Sequence, residues 1–195
     1  MPLHFDIKEF RNRLNRLLEL MAENDLEGML LFRQESMFYL TGYDTFGYVF
    51  FQCLYLGGDG KLILLTRAPD LRQARHTSIV EDIRIWVDGP EVNPALQLKN
   101  ILQECGCAGK RLGVEYDSYG LTAKNGKMLD YALDGFCRLT DASNLVNLLR
   151  VVKSPEELVY VQKAAELADE ALDEAHRLVK NGCDEAELLA AMQGA

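Results

Sequence analysis

Side chains that could hold a metal ion or act as a nucleophile are few in this sequence and lie far apart. The three histidines have no carboxylate or cysteine at the spacing of a metal-ligand motif. The five cysteines match no disulfide framework, and Cys105 and Cys107 lack the second Cys or His pair that a zinc site requires. Neither a phosphate-binding P-loop nor a nucleophile elbow occurs, and Ser118 has no identifiable histidine partner. The sequence therefore predicts no catalytic residue and no metal ligand among these 195 residues.

One segment, residues 36–51, is rich in aromatic side chains although the whole chain is only 9% aromatic. Core packing explains the aromatic residues at its end. It explains the middle of the segment less well, because exposed aromatic side chains are unfavourable in water unless they meet a partner. The segment therefore indicates either core packing or a contact with a subunit or a substrate. The candidate contact residues are Tyr43, Asp44, Phe46, Tyr48 and Phe50.

The elements that would position this segment alternate between helix and strand along the chain, which predicts an α/β fold with a mixed β-sheet flanked by helices. Asp6 and Glu9 are expected to form a capping box at the start of the first helix. Strands are expected at residues 28–32, 48–56, 61–66, 83–87, 111–116 and 136–140. The second and third of them flank a Gly/Asp cluster and should form an antiparallel hairpin. Further helices are expected at residues 34–38, 69–75, 94–105, 122–133 and 145–150.

A second unit is expected to begin within residues 150–157. Ser154 suits a helix N-cap, Pro155 suits the first helical position, and Glu157 completes a capping box. Apolar residues then recur at steps of three and four along a long helix over 155–180. Their richness in alanine favours burial against a sheet or another helix over coiled-coil pairing, and both arrangements stay open. The expected domains are residues 1–148 and residues 149–195, the latter being the truncated start of a larger domain.

Charge and hydropathy exclude two classes of partner. The net charge of −9 disfavours nucleic-acid binding, which needs a basic face for phosphates. The apolar runs are far too short to span a bilayer, and no basic region followed by an apolar run precedes the first helix. We therefore expect neither a nucleic-acid nor a membrane partner. Because the cysteines match no disulfide framework, we also expect reduced thiols and a cytoplasmic location.

Three motifs, taken in order, resemble the N-terminal portion of the creatinase/prolidase family. They are Tyr39-Leu-Thr-Gly-Tyr43, Leu112-Gly-Val-Glu-Tyr116 and Arg150-x-x-Lys-Ser-Pro-x-Glu157. The third is the most specific, because its arginine, lysine, serine, proline and glutamate all match. The family includes Xaa-Pro dipeptidases, aminopeptidase P, creatinase and ectoine hydrolase-like enzymes.

The resemblance implies that residues up to about 148 form a non-catalytic domain similar in fold to ribonuclease H, followed by the start of a pita-bread metallopeptidase domain. In the family, that domain holds two divalent metal ions (Mn, Co or Zn), which activate a water for attack on an amide bond. The resemblance further implies that this fragment is inactive, and that the full-length protein is a homodimer acting on a peptide or small amide. Tyr48 and Phe50 fall near the substrate contacts of creatinase, but the arginine found there in creatinase is absent.

Two alternatives remain open. The chain could be a free-standing α/β interaction module that uses its aromatic loop and alanine-rich helix to bind partners. It could also be the N-terminal part of a creatinase-like or ectoine hydrolase-like amidohydrolase. A natural reading frame that continues well beyond Ala195 would favour the hydrolases over the module.

Overall fold

Strands and helices alternate along the chain in the computed structural model, which describes residues 3–195. The strands are β1 (Gly28–Leu31), β2 (Cys53–Gly57), β3 (Leu62–Arg67), β4 (Asp82–Trp86), β5 (Arg111–Val114) and β6 (Arg138–Asp141). The helices are α1 (Ile7–Glu23), α2 (Gln34–Thr41), α3 (Leu71–Thr77), α4 (Pro94–Glu104), α5 (Ala123–Leu133), α6 (Leu145–Val151), α7 (Pro155–Leu178) and α8 (Glu185–Gly194). A short 3-10 helix, Ala68–Asp70, precedes α3. The described residues divide into two units, one ending at Val151 and the other comprising Val152–Ala195.

The six strands form one sheet in the order β4-β3-β2-β1-β5-β6. β2 runs antiparallel to both of its neighbours, and the other neighbouring pairs are parallel. The predicted hairpin is confirmed, with Leu54 opposite Leu64. The mixed sheet flanked by helices, predicted from the alternating pattern, is therefore confirmed as well.

Successive residues of a strand point to opposite sides of the sheet. Both faces of this sheet are buried, because helices pack on each of them. One face packs Leu30 and Tyr55 against α4 and α5. The other packs Met29 and Leu54 against α1, α2 and α6. All four residues of β1 are buried, which explains why its sequence is a continuous apolar run and does not alternate.

Two local predictions were wrong. The strand expected from Tyr48 begins only at Cys53, because the preceding residues form a turn in which the amide of Phe50 donates to the carbonyl of Gly47 at 2.9 Å. The capping box expected at Asp6 is absent: the Asp6 side chain makes no capping hydrogen bond, and Glu9 instead pairs with Arg13 inside the protein. A backbone turn in the first case and a buried ion pair in the second replace the locally expected structure.

The second unit begins with the predicted capping box. The Ser154 hydroxyl accepts from the amide of Glu157 at 3.2 Å, and the Glu157 carboxylate accepts from the amide of Ser154 at 2.8 Å. α7 ends at Leu178, slightly before the expected residue 180, and contacts α8. No residue of α7 is buried. Along residues 3–195 no helix combines the length and apolar character needed to cross a membrane.

Candidate functional site

Two loops meet at the edge of the sheet where β1 and β5 end. The two strands are adjacent and parallel, so their carboxyl ends lie side by side. The chain leaves β1 through α2, which packs on one face of the sheet, and leaves β5 towards α5, which packs on the other. In α/β sheets, a point where neighbouring connections diverge in this way opens a crevice in which ligands commonly bind.

Glu115, the residue after β5, is fully buried and joins the two loops. One carboxylate oxygen accepts hydrogen bonds from the backbone amides of Phe32 at 3.1 Å and Arg33 at 3.0 Å. The other oxygen accepts from the Ser36 hydroxyl at 2.5 Å. Burial raises the pKa of the Glu115 carboxyl, since removal from water disfavours the charged form, and these hydrogen bonds oppose the rise. Glu115 thus fixes the start of α2 to the end of β5.

Arg33 makes a second connection between the same loops. Its guanidinium donates from Nε to the carbonyl oxygen of Asp117 at 3.2 Å and from Nη2 to the Asp117 carboxylate at 3.0 Å. The amide of Asp117 donates to the Ser143 hydroxyl at 3.1 Å. The loop that follows β5 is therefore held from both sides.

These loops border a depression of about 550 Å³. A smaller depression of about 190 Å³ adjoins it, shares Glu35, Ser118 and Tyr119 with it, and reaches Tyr48. We call the two depressions together the polar groove. The larger part is also lined by Arg33, Tyr116, Asp117 and Arg150. Two arginines and two carboxylates therefore line the groove, so its formal charges balance.

The aromatic loop, residues 43–51, follows α2 and rests on buried polar groups. Tyr43 is completely buried, and its hydroxyl donates to Oε1 of Gln52 at 2.6 Å and lies 3.1 Å from Oγ1 of Thr66. Burial raises the pKa of Tyr43. Tyr43, a predicted subunit or substrate contact, is buried, and its side chain anchors the loop from inside the domain.

The middle of the aromatic loop is held in the same way. The Thr45 hydroxyl donates to Oδ1 of Asp70 at 3.1 Å and accepts from the amide of Gly47 at 2.9 Å. Nε2 of Gln52 donates to the carbonyl of Gly47 at 2.7 Å. This network fixes the backbone from which the exposed side chains of the loop project.

The other four predicted contact residues lie on the surface. Phe46 is 87% exposed, and Tyr48 and Phe50 are 47% and 42% exposed. Asp44 is also exposed. The Arg67 guanidinium lies 3.7 Å from the centroid of the Phe50 ring. A contact between these residues and a subunit or substrate stays a prediction.

Gly47 occupies a position that no side chain fits. A Cβ there would lie 2.2 Å from Nε2 of Gln52 and 2.7 Å from Oδ2 of Asp70. We expect Gly47→Ala to lower the free energy of unfolding by about 2 kcal/mol, since two buried hydrogen-bonding side chains must move. Urea unfolding measures this. Gly126→Ala is the control, because a Cβ there meets nothing closer than Leu121 at 4.0 Å. Equal effects of the two substitutions would contradict the proposed packing.

Metal ligands do not converge in the part of the chain that the structure describes. Within residues 3–195 no group of three or more His, Cys, Asp or Glu side chains is arranged to hold a metal ion. All five cysteines are free thiols. The described residues therefore offer no ligand set for the metal pair that the resemblance places in the family's catalytic domain.

Sequence patterns singled out only part of the polar groove: Tyr48 was a candidate contact, and Tyr116 and Arg150 lie in the family motifs. A glutamate or an arginine that follows a strand is typical of a solvated loop, and Ser118 stood out only as a candidate nucleophile. Glu115 lies within the Leu112–Tyr116 motif, which was the one local signal that this loop matters. Its contact with residues 32 and 33 depends on the pairing of β1 with β5.

Comparison with known proteins gives the same assignment for most of the chain. Residues 13–152 match the Creatinase/Prolidase N-terminal domain. The chain is 29% identical over 174 residues to an ectoine hydrolase of Halomonas elongata, covering 86% of this chain and 43% of that protein. It is 28% identical over 197 residues to an uncharacterised hydrolase/peptidase of Sinorhizobium fredii, covering 97% and 50%. A prolidase from Thermococcus sibiricus superposes with a TM-score of 0.79 at 20% identity, covering 94% of this chain and 48% of that one.

The chain spans about half the length of these relatives. The likeness to the prolidase, at 20% identity, shows a shared fold. The family match covers the whole sheet, most of α1 and the helices α2 to α6. The chain therefore belongs to the creatinase/prolidase family, as its N-terminal domain followed by two further helices.

Proposed function

We propose that this chain is the N-terminal part of a metal-dependent hydrolase of the Xaa-Pro peptidase type, in which it serves dimerisation and substrate access. The observation that carries the proposal is the aromatic loop: exposed rings on a backbone fixed by buried hydrogen bonds, within a domain of this family. The proposed location of the protein is the cytoplasm.

The aromatic loop exposes apolar side chains to water, which is unfavourable. Phe46, Tyr48 and Phe50 present apolar surface to water, which a soluble chain tends to bury against a partner. A backbone that is already ordered loses little entropy when it binds, so a rigid apolar projection is well suited to a second protein surface. We propose a second copy of the chain as that partner, with the loop reaching the substrate entrance of the neighbouring subunit.

The chemistry is proposed to reside outside these residues. A protein of the relatives' length would contain roughly as many residues again, and the two divalent metal ions (Mn, Co or Zn) and their ligands would belong to that part. Bound there, the ions would supply an activated water for attack on a peptide or small amide bond. The residues of this chain would position the substrate and exclude water.

The test compares the 195-residue chain with the complete protein encoded by its natural reading frame. We expect no hydrolysis of X-Pro dipeptides by the chain alone with added Mn²⁺ or Co²⁺, and hydrolysis by the complete protein. In the complete protein, Phe46→Ala should lower kcat/KM by about tenfold with little loss of stability. Tyr131→Ala is the control, since Tyr131 is 83% exposed and lies on α5.

Turnover by the 195 residues alone would refute the assignment of chemistry to another part of the protein. A natural reading frame that ends at Ala195 would refute the hydrolase and favour a free-standing interaction module. An unchanged kcat/KM in Phe46→Ala would refute the proposed role of the aromatic loop.

A second candidate keeps the architecture and changes the substrate. The 29% identity to a protein named ectoine hydrolase supports a cyclic amidine as the alternative substrate. Assays of the complete protein with ectoine and with Ala-Pro, side by side, distinguish the two substrates.

A further inference from the structure

We infer that the polar groove is a binding site for a small zwitterion, a molecule that carries one carboxylate and one cationic nitrogen. The groove lies at the carboxyl ends of β1 and β5, beside the loops that begin with Arg33 and Glu115. It belongs entirely to the first unit of the chain. Only the choice of a dipeptide as the ligand rests on the proposed function; the site itself does not.

The walls of the groove are fixed before any ligand arrives. Glu115 ties the amides of Phe32 and Arg33 to the end of β5, and the Arg33 guanidinium holds the carbonyl of Asp117. Gly120 allows a third close approach, since a Cβ there would lie 3.2 Å from the carbonyl oxygens of Phe32, Tyr48 and Phe50. The loops after β1 and β5 and the aromatic loop thus form one rigid border. Rigid walls favour binding because little order has to be gained when the ligand enters.

The charges of the lining select the class of ligand. Arg33 and Arg150 balance Glu35 and Asp117, so a polyanion such as a nucleotide finds no net attraction. An apolar ligand would remove these polar groups from water without offering them hydrogen bonds in exchange. A zwitterion can satisfy both signs at once, with its carboxylate towards Arg150 and its cationic nitrogen towards Glu35. A guanidinium has five N–H donors, so Arg150 can donate to a ligand in addition to the contacts it already makes.

The smaller part of the groove supplies surface for the uncharged middle of such a ligand. Tyr48 and Tyr119 both line it, and Tyr119 is 76% exposed. Phenol rings offer an apolar face together with a hydroxyl, which suits a small ring that bears polar groups. The Ser118 hydroxyl lines both parts. A proline-containing dipeptide and a cyclic amidine carboxylate share this chemistry.

The experiment is a titration of the 195-residue chain followed by amide NMR shifts. The probes are Ala-Pro, N-acetyl-Ala-Pro, Ala-Pro amide and ectoine. We expect saturable shifts at the amides of Glu35, Ser118 and Tyr119 with Ala-Pro, with ectoine, or with both. Blocking either charge of a dipeptide that binds should weaken its binding by about tenfold, the usual scale of a charge-assisted hydrogen bond.

Matched variants test the location. Arg150→Gln and Tyr119→Ala should each weaken binding at least about fivefold. Arg16→Gln and Tyr131→Ala replace exposed residues of the same types elsewhere and should leave binding unchanged. Binding of only one of the two molecules would assign the site to peptides or to cyclic amidines.

The inference is overturned if neither Ala-Pro nor ectoine produces saturable shifts in the groove. It is also overturned if both capped dipeptides bind as well as Ala-Pro, or if the control variants weaken binding as much as the groove variants. Its failure is distinct from that of the proposed function. If the complete protein hydrolyses X-Pro peptides but no ligand shifts the amides of the groove, only the groove is refuted. If a ligand binds saturably but the reading frame ends at Ala195, only the hydrolase is refuted.

Discussion

Replacing Glu115 by alanine is expected to lower the free energy of unfolding by about 3 kcal/mol, because three donors lose their acceptor at once. The donors are the amides of Phe32 and Arg33 and the hydroxyl of Ser36. Since these groups set the start of α2, the amides of the polar groove should shift as well. Urea denaturation measures the loss of stability, and amide NMR spectra report on the groove.

Glu115→Gln is the control for this prediction. Its amide oxygen can accept from the two backbone amides, and its NH₂ group can donate to the oxygen of Ser36, so we expect a loss of only about 1 kcal/mol. If the two variants lose stability equally, the hydrogen bonds of Glu115 are not what stabilises this junction.

The same pair of proteins gives a pH dependence. Burial raises the pKa of Glu115 in the folded chain above its value in the unfolded chain, so the folded state binds the proton more tightly. The stability from this group is fully present below the unfolded pKa of about 4.3 and is lost as the pH rises through the folded pKa. The unmodified chain should therefore lose stability relative to Glu115→Gln as the pH rises through this window. A gain in the same window would mean that the hydrogen bonds outweigh desolvation.

Replacing Arg13 by alanine is expected to have the largest effect, about 4 kcal/mol, because it leaves a buried carboxylate without its partner. Nε of Arg13 lies 3.0 Å from Oε1 of Glu9, and the two side chains are only 2% and 9% exposed. Nη1 donates to the carbonyl of Tyr39 at 2.9 Å, and the guanidinium lies 4.1 Å from the centroid of the Phe5 ring. Thermal and urea unfolding both measure the loss.

A double variant separates the charge from the packing. Arg13→Met with Glu9→Leu removes both charges and keeps most of the apolar volume, so it should recover most of the stability lost in Arg13→Ala. Arg16→Gln is the surface control, with a change within about 0.5 kcal/mol. If the double variant is as unstable as Arg13→Ala, the loss comes from missing contacts with the aromatic rings and not from the unpaired Glu9.

Features that depend on neighbours in sequence were predicted well. The capping box of Ser154 and Glu157 forms because its two residues lie three apart on one chain, whatever surrounds them. The hairpin of β2 and β3 needs only a turn between two strand-forming runs. Such contacts are encoded within a few residues, so a single sequence reveals them.

Features that depend on distant residues were missed. Glu9 satisfies the pattern of a capping box, yet it pairs with Arg13, whose guanidinium also donates to the carbonyl of Tyr39, 26 residues further along the chain. The strand expected from Tyr48 gives way to a turn. The buried Gln52 side chain holds this turn, since its amide nitrogen donates to the carbonyl of Gly47 and its amide oxygen accepts from the Tyr43 hydroxyl. Local pattern cannot weigh these contacts, since their energy comes from groups that meet only in the folded chain.

The sequence by itself determined the mixed α/β fold, the capping box at the start of α7 and the motifs that resemble the creatinase/prolidase family. The tertiary structure decided which aromatic side chains face inwards, and it brought Arg33, Glu115 and Asp117 together around the polar groove. The reason is the separation of the partners along the chain. Glu115 lies more than 80 residues from the amides that it binds, and only the pairing of β1 with β5 places them within hydrogen-bonding distance.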